Sequence, residues 1–428
     1  MCKVSVLVPV YNVKAYLRQC LDSLVAQTLA SIEFLCIDDG STDGCSEILD
    51  AYAGKDARFR VIHKANSGYG ASMNVGLRAA RGEYIGIVES DDYAEPGMFQ
   101  ALYEAASRHH VDVVKSNYWK TADGTDTFTE ILHGHAYETV FCPRKEDAAF
   151  LLDTPTIWSC LYRRTFLEKQ EILFNETPGA SYQDTSFAFL TKAYADTFWL
   201  MKEPYLHYRF DNASSSVHST GKIFCVIDEY DAVQRHLKAH RLPEHEKLCG
   251  LSAQLLYKNF AFNESRIPLR MYPVFWEKGY PKLKAAQAQG VFHEDLGEGM
   301  AAWMLQRYAS YQMMLLIREG LFPFCRAQEH VYFYGAGQVA KGLLHVFHRN
   351  GCRVDGLLVT SEKDNQTEVG GVPVCALDAS PADPAHDLVI LAVTPRKPEV
   401  QQEIFTSLVH AGYRNVIVLT KELQQALR

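Results

Sequence analysis

The chain lacks any apolar run long enough to cross a bilayer. Its greasiest stretches, Leu388 to Val393 and Met313 to Ile317, fall far short of the ~20 apolar residues a spanning helix needs, so membrane contact is at most peripheral. Basic charge is also short. Lys and Arg number 43 against 51 Asp and Glu, a formal charge of -8, which speaks against nucleic acid as a partner of the whole chain. The 11 cysteines are odd in number, widely spaced and never in C-x-x-C order. Neither a disulfide framework nor a zinc knuckle is suggested, and they read as reduced core residues. The start, Met1-Cys2-Lys3 and then an alternating strand-like run, lacks the apolar core and cleavage site of a secretory signal. This predicts a cytoplasmic protein, peripheral at most to the inner face of the cell membrane. There is no short-period repeat or low-complexity tract. What is present, 47% hydrophobic and 22% charged residues over 428 positions, is a globular composition with length for roughly two to four domains.

The N-terminal part alternates short apolar runs with helical periodicity, the sign of a mainly parallel sheet covered by helices. Val4 to Val10 reads as a strand, and Tyr16, Leu17, Cys20, Leu21, Leu24 and Val25 then recur at helical spacing. Phe34 to Ile37, Arg60 to Ile62 and Tyr84 to Val88 are further strands; a helix runs through Met73 and Leu77, and Thr42 and Asp43 stand where another would be capped. Residues 120 to 220 are less regular, with a helix-like Asp184 to Tyr194, and suit an acceptor site or lid. Residues 222–328 carry helical periodicity, as in Leu251, Leu255 and Phe260 and again in Trp303, Leu305, Tyr308, Met313 and Leu316. At Val331 the strand–helix alternation resumes. The expected organisation is an α/β domain over 1–221, a helical linking region over 222–328 and a small Rossmann-like α/β domain over 329–428.

In an open parallel sheet, ligands sit beyond the carboxyl ends of the strands. Here those ends are polar and acidic: Pro9-Val10-Tyr11-Asn12, Asp38-Asp39-Gly40-Ser41-Thr42-Asp43 and Glu89-Ser90-Asp91-Asp92. An Asp at such a place can accept the imide N–H of uracil or the hydroxyls of a ribose, and Tyr11 offers a stacking face. The acid cluster offers hard oxygens for Mg2+ or Mn2+ bridging the phosphates of a nucleotide. Each piece alone is ordinary turn or cap chemistry.

In order and at strand ends, VSVLVPVYNV, IDDGSTD and NSGYGASMNVGLRAARGEYIGIVESDDY resemble the family-2 glycosyltransferases of the GT-A fold. The resemblance implies a nucleotide-diphospho-sugar transferase domain. By it, Pro9, Tyr11, Asn12, Asp39, Ser41, Asn66, Gly68, Asn74 and Asp91 would contact the nucleotide, with Asp39 on the base and Asp91 near the ribose or metal. Asp91, Asp92 and Glu89 would hold Mn2+ or Mg2+; Glu89 stands where the family usually has Asp and would bind through water. The Arg common before the Asn is Met73 here, so a phosphate contact is missing or supplied elsewhere.

Glycosyl transfer needs a base for the acceptor proton. Tyr182-Gln183-Asp184-Thr185-Ser186-Phe187 resembles the family's acidic dipeptide before an aromatic-bearing helix, with Asp184 matching the base and Gln183 replacing the common Glu. Helix capping is the alternative role for Asp184. His207-Tyr208-Arg209, then Ser214-Ser215-Ser216 and His218, resembles the strand and loop that close over the diphosphate, which makes Arg209 and His218 phosphate ligands. Trp158, in WSCLYRRTF, would stack on a sugar or belong to the core.

Gly335-Ala336-Gly337 follows a strand and opens a helix, the context of a dinucleotide fingerprint. The acid expected about twenty residues on is misplaced, with Asp355 early and Glu362 late, so NAD is not expected. That domain resembles modules attached to sugar-transfer enzymes, which would bind a nucleotide sugar or serve assembly into a homo-oligomer. The leading expectation is inverting transfer of a hexose or N-acetylhexosamine, with uridine as the favoured donor nucleotide. The acceptor would be a hydroxyl of a cell-surface glycan such as capsule, lipopolysaccharide or teichoic acid. A nucleotide-sugar oxidoreductase or sensor centred on the C-terminal domain is the alternative. A non-catalytic scaffold is another, favoured by Glu89, Met73 and Gln183; the set Asp39, Asp91, Asp92 and Asp184 favours the transferase.

Overall fold

Val4–Val10 is buried along its whole length, as a strand with neighbours on both sides and layers on both faces must be. The computed structural model describes residues 2–131, 134–212, 224–264, 272–288, 320–361, 366–393, 398–419 and 427. Its first sheet contains β1 (Val4–Val10), β2 (Ile32–Asp38), β3 (Phe59–His63), β4 (Tyr84–Ile87), β5 (Tyr93–Ala94), β6 (Val113–Ala122), β7 (Thr125–Thr129), β8 (Val140–Phe141), β9 (Cys160–Arg163) and β10 (Phe198–Arg209). The order is β3-β2-β1-β4-β9-β6-β10-β5, with β7 on β6 and β8 on β10. The first four of these are parallel, Val4 lying opposite both Ile32 and Tyr84. The ends of β1, β2 and β4 therefore open on one edge and carry their acidic residues there together. β9 runs antiparallel to both its neighbours, and β10 is parallel to β6.

β10 slips register on both sides of Pro204, because proline cannot donate to the ladder. Past the slip, Leu206 and His207 pair with Ala94 and Tyr93 of β5, which brings the strand end to the acid cluster.

Helix Lys14–Val25 buries Leu17, Cys20, Leu21 and Leu24, a single apolar stripe. Its first amide is satisfied from a distance: Lys14 N–H donates to Asp43 Oδ2 at 2.9 Å, while Cys45 N–H donates to Asp43 Oδ1 at 3.1 Å. One carboxylate thus caps this helix and also the helix Cys45–Ala53.

The chain forms two compact units, Met1–Arg266 with Pro281–Gly297, and Ile267–Tyr280 with Glu298–Arg428. In the first, helix Gln183–Tyr194 is buried at every position from Thr185 on, and helix Cys225–Ala239 packs against it. That helix and the following His245–Glu264 give Val233, Leu237, Leu248 and Leu251 to the same core as β1. The first unit therefore extends past residue 221.

In the second unit the strands are β11 (Val331–Tyr334), β12 (Gly356–Val359), β13 (Glu368–Val369), β14 (Val372–Ala376), β15 (Leu388–Leu391) and β16 (Asn415–Val418), in the order β13-β14-β12-β11-β15-β16. All neighbours are parallel except β13 and β14. Helix Gln338–Arg349 buries Ala340, Leu343, Leu344 and Phe347. Among the described residues no helix is long and apolar enough to cross a membrane.

Candidate active site

The three strand ends meet at a cavity of about 700 Å³. Pro9, Tyr11 and Asn12 line it from β1, Asp39 from β2, and Glu89 and Asp91 from β4, with Asn66 and Gly68 from the turn before helix Tyr69–Ala79. Asp184 lines the same cavity from the first turn of helix Gln183–Tyr194, together with Gly179 to Gln183.

Asp39 is held in a fixed orientation. Its Oδ1 accepts from Ser67 N–H at 2.9 Å and pairs with Lys64 Nζ, and its Oδ2 accepts from Gly68 N–H at 2.9 Å. Lys64 also donates to Ser72 Oγ at 3.2 Å, so it neutralises one carboxylate without filling the cavity.

Residues 174–182 form a strap whose last part, Gly179 to Tyr182, lines one wall of the cavity. Tyr69 N–H donates to Gly179 O at 2.9 Å. Gln183 Nε2 donates to Thr177 Oγ1 at 2.8 Å and to Gly179 O at 3.2 Å, and its Oε1 accepts Ser181 N–H at 2.5 Å. Gly68 has φ +93°, and a Cβ there would lie 2.9 Å from both Gly179 N and Thr177 O; only glycine lets turn and strap touch.

The acids differ in state. Burial pushes the Asp184 pKa up to about 6, against opposing hydrogen bonds from Thr185. Burial likewise pushes Glu89 up to about 8, partly offset by Tyr69, whose hydroxyl donates to Glu89 Oε1 at 2.7 Å. Asp91 Oδ2 accepts from Asn212 Nδ2 at 2.8 Å. Among the described residues lining the cavity there are four carboxylates, Asp39, Glu89, Asp91 and Asp184, and no Lys or Arg.

Among the described residues no three His, Cys, Asp or Glu side chains are close enough to hold a metal by themselves. Magnesium-type sites commonly take one or two carboxylates and complete the shell with substrate phosphates and water. Asp91, with Glu89 nearby, fits a cation that arrives with a diphosphate.

Several expected ligands lie elsewhere. Asn74 is 1% exposed; its Nδ2 donates to Phe174 O at 2.9 Å and Glu176 Oε1 at 3.0 Å, and its Oδ1 accepts Phe174 N–H at 2.9 Å. It anchors the strap, with both amide hydrogens engaged and the side chain off the cavity wall. Ser41 also stays off the cavity wall: its Oγ accepts Asn12 N–H at 3.3 Å, and its own N–H donates to Asp38 Oδ1 at 2.9 Å. Arg209 lies behind the acid cluster rather than over a phosphate. Its Nε donates to Asp91 O at 2.9 Å, a terminal nitrogen donates to Gln19 Oε1 at 2.5 Å, and its guanidinium covers the Tyr16 ring. Asp92 is turned the same way, its Oδ1 accepting Arg209 N–H at 2.8 Å. Burial and the neighbouring Asp91 push its pKa well above the carboxylate range, so it braces the cluster from outside the cavity. Met73 is in the core. His218 lies outside the described residues. Trp158, 7% exposed, stacks on Tyr208 at 5.1 Å; its ring belongs to the core, yet both residues contribute to the cavity wall.

Residues 5–187 match the family model described as Glycosyl transferase family 2. The first unit carries a family-2 glycosyltransferase domain. Two curated relatives from Bacillus subtilis (strain 168) agree. The uncharacterized glycosyltransferase EpsJ is 39% identical over 189 residues, covering 40% of this chain and 51% of that protein. The putative glycosyltransferase EpsH is 33% identical over 225 residues, covering 52% and 64%. The chain thus spans about half to two thirds of the length of these relatives. S. aureus TarS 1-349, solved in complex with UDP-GlcNAc, superposes with a TM-score of 0.57 at 20% identity, over 74% of this chain and 92% of that one. It shares the GT-A fold.

Several residues that shape the cavity escape a reading of the motifs. Lys64 gave a usable signal, since it follows β3 directly at the height of Asp39. Tyr69 sits inside the motif NSGYG but carries its hydroxyl to Glu89 across the sheet edge. Asn212 and the strap gave none, because their partners lie 121 residues away at Asp91 and, for the Tyr69–Gly179 bond, on another element.

In the second unit, Asp355 sits at the start of β12, its Oδ2 accepting Val331 N–H at 2.9 Å. It is at the opposite end of the strand from the Gly335 turn.

Proposed function

We propose that the glycosyltransferase domain transfers a hexose or N-acetylhexosamine from a UDP-linked sugar to a hydroxyl of a cell-surface glycan, with inversion. The observation that carries this reading is the meeting on one cavity of the strand-end carboxylates Asp39 and Asp91 with Asp184, whose pKa burial lifts to about 6. The nucleotide would lie along Pro9, Tyr11, Asn12, Asp39, Asn66 and Gly68, its base against the Tyr11 ring. The likeness to TarS, solved with UDP-GlcNAc, supports uridine.

In the proposed reaction the acceptor oxygen attacks the anomeric carbon. The bond from that carbon to the β-phosphate oxygen breaks, its electron pair leaving with the diphosphate, and the acceptor proton passes to Asp184. A single displacement with one base inverts the anomeric configuration. A base with a pKa of about 6 is ionised at neutral pH and still basic enough to take a proton. Turnover should therefore rise as pH climbs through about 6.

Asp91, with Glu89 through water, would hold Mn2+ or Mg2+, which when bound supplies neutralising charge for the leaving diphosphate. The excess of carboxylates over cations in the cavity supports this part. Location in the cytoplasm, at most peripheral to the membrane, belongs to the same proposal and is supported by the 11 free thiols.

The test is hydrolysis of a panel of nucleotide sugars in Mn2+, with and without EDTA. Release of UDP from at least one UDP-sugar, lost with EDTA, is expected. No release from any donor would contradict the reading.

A further inference from the structure

We infer that Glu229, on the helix behind the cavity, is a positioning residue that sets the orientation of Asp184 and of the strap, and does so as a neutral acid. The inference rests on the reading of Asp184 as the base and adds a second carboxyl that the cavity does not contain.

Glu229 is 1% exposed and buried between helix Cys225–Ala239 and the Asp184 helix. Its two oxygens reach two different pieces of the site. Oε1 accepts from Asn175 Nδ2 at 3.0 Å, in the strap, and Oε2 meets Ser186 Oγ, two residues after Asp184. Ser186 Oγ also lies 3.4 Å from the Gln183 carbonyl, and Gln183 is the residue whose amide pins the strap. A protonated Glu229 completes this chain: its O–H donates to Ser186 Oγ, the Ser186 hydroxyl is free to donate to Gln183 O, and the other oxygen still accepts from Asn175. An ionised Glu229 has no proton to give, so Ser186 must turn its own hydroxyl back to Glu229 and release Gln183.

The surroundings favour the protonated form. Among the described residues that act most strongly on Glu229 there is no cation; its partners Ser186 and Asn175 are neutral, and the charged groups are Asp184 on the facing helix and Asp228 on its own, both negative. Burial, the largest cause, lifts its pKa to about 8. Ionisation above that pH would add a charge behind the base and loosen the bracket together.

The test compares full-length wild type with Glu229→Gln, which mimics the neutral acid, and Glu229→Ala, which removes both contacts. Hydrogen exchange of residues 174–186 is read first because it needs no turnover. Protection should fall at least tenfold in the Ala variant and stay within about twofold in Gln. Donor hydrolysis is read second. Turnover should fall tenfold or more in Ala, with the Kd for UDP within about twofold. Gln should keep wild-type turnover at pH 7 and lack the decline expected of wild type between pH 7.5 and 9. A folded Ala variant with unchanged exchange overturns the inference, as does a Gln variant impaired as much as Ala. If wild type hydrolyses no donor, the transferase reading fails; the exchange result then still decides whether Glu229 holds the strap.

Discussion

Tyr11 is 52% exposed at the mouth of the cavity, where its ring can take a stacked base. If uracil stacks there, Tyr11→Ala should raise the Kd for UDP on the order of tenfold, since base stacking on an aromatic contributes about 1–3 kcal/mol. Thermal stability should change little, because the ring is half exposed and outside the buried core. Calorimetry and a melting curve together check this, and equal UDP affinity would remove Tyr11 from the nucleotide site. At this scale the sequence was legible where the side chain follows its strand end, as for Tyr11, Asp39 and Asp91. It was illegible where a polar side chain could be used by protein or by ligand alike. Asn74 and Arg209 occupy suitable motif positions, but the fold commits their side chains to Phe174 and to Asp91 and Gln19. Motif position alone does not reveal such competition.

Among elements, the turn at Gly68 and the strap are a single construction. Gly68 has φ +93° and ψ +166°, a region closed to L side chains, and its virtual Cβ collides with strap backbone on both sides. Gly68→Ala should lower stability by about 1–3 kcal/mol, the usual scale of such strain, and should weaken UDP binding because Asp39 loses the Gly68 amide. Urea unfolding with UDP titration measures both; an unchanged midpoint would mean the strap yields freely. Strands β1, β2 and β4, buried at every position, were readable from their apolar runs, because a doubly covered parallel strand is continuously hydrophobic. The strap has no periodicity of its own. Likewise helix Cys225–Ala239 reads correctly as a helix, while its membership of the first core depends on Val233 and Leu237 meeting residues far away in sequence.

Over the whole molecule, titration should leave a clear signature. His63 lies between Asp38 and Asp50, and His135 between Asp147 and Asp153; these carboxylates raise both pKa values. Such histidines contribute stability that is full below about 6.5 and is lost as pH rises through the raised value. Glu89 and Glu229, each lifted to about 8, act in the same direction: the fold keeps protons that the unfolded chain releases above about 4.5. Asp38, Asp43 and Asp56 are lowered by their hydrogen bonds, and their contribution is lost as pH falls below about 4. The melting temperature should therefore peak near pH 4–5 and decline toward pH 9. MnCl2 with UDP should recover part of the loss at pH 8, by binding the ionised cluster. A melting temperature that is flat or rising from pH 6 to 9 would contradict the assigned protonation states.

In the proposed reaction one cavity holds the nucleotide on its strand-end side and removes the acceptor proton at Asp184. Asp184→Asn separates those two functions, since it keeps the shape of the side chain and removes its basicity. Calorimetric UDP binding and donor turnover measured on the same preparation test this most directly. The expected result is a Kd within about twofold of wild type and turnover lower by ~10² or more, as for loss of a general base. Near-normal turnover with intact UDP binding would contradict it.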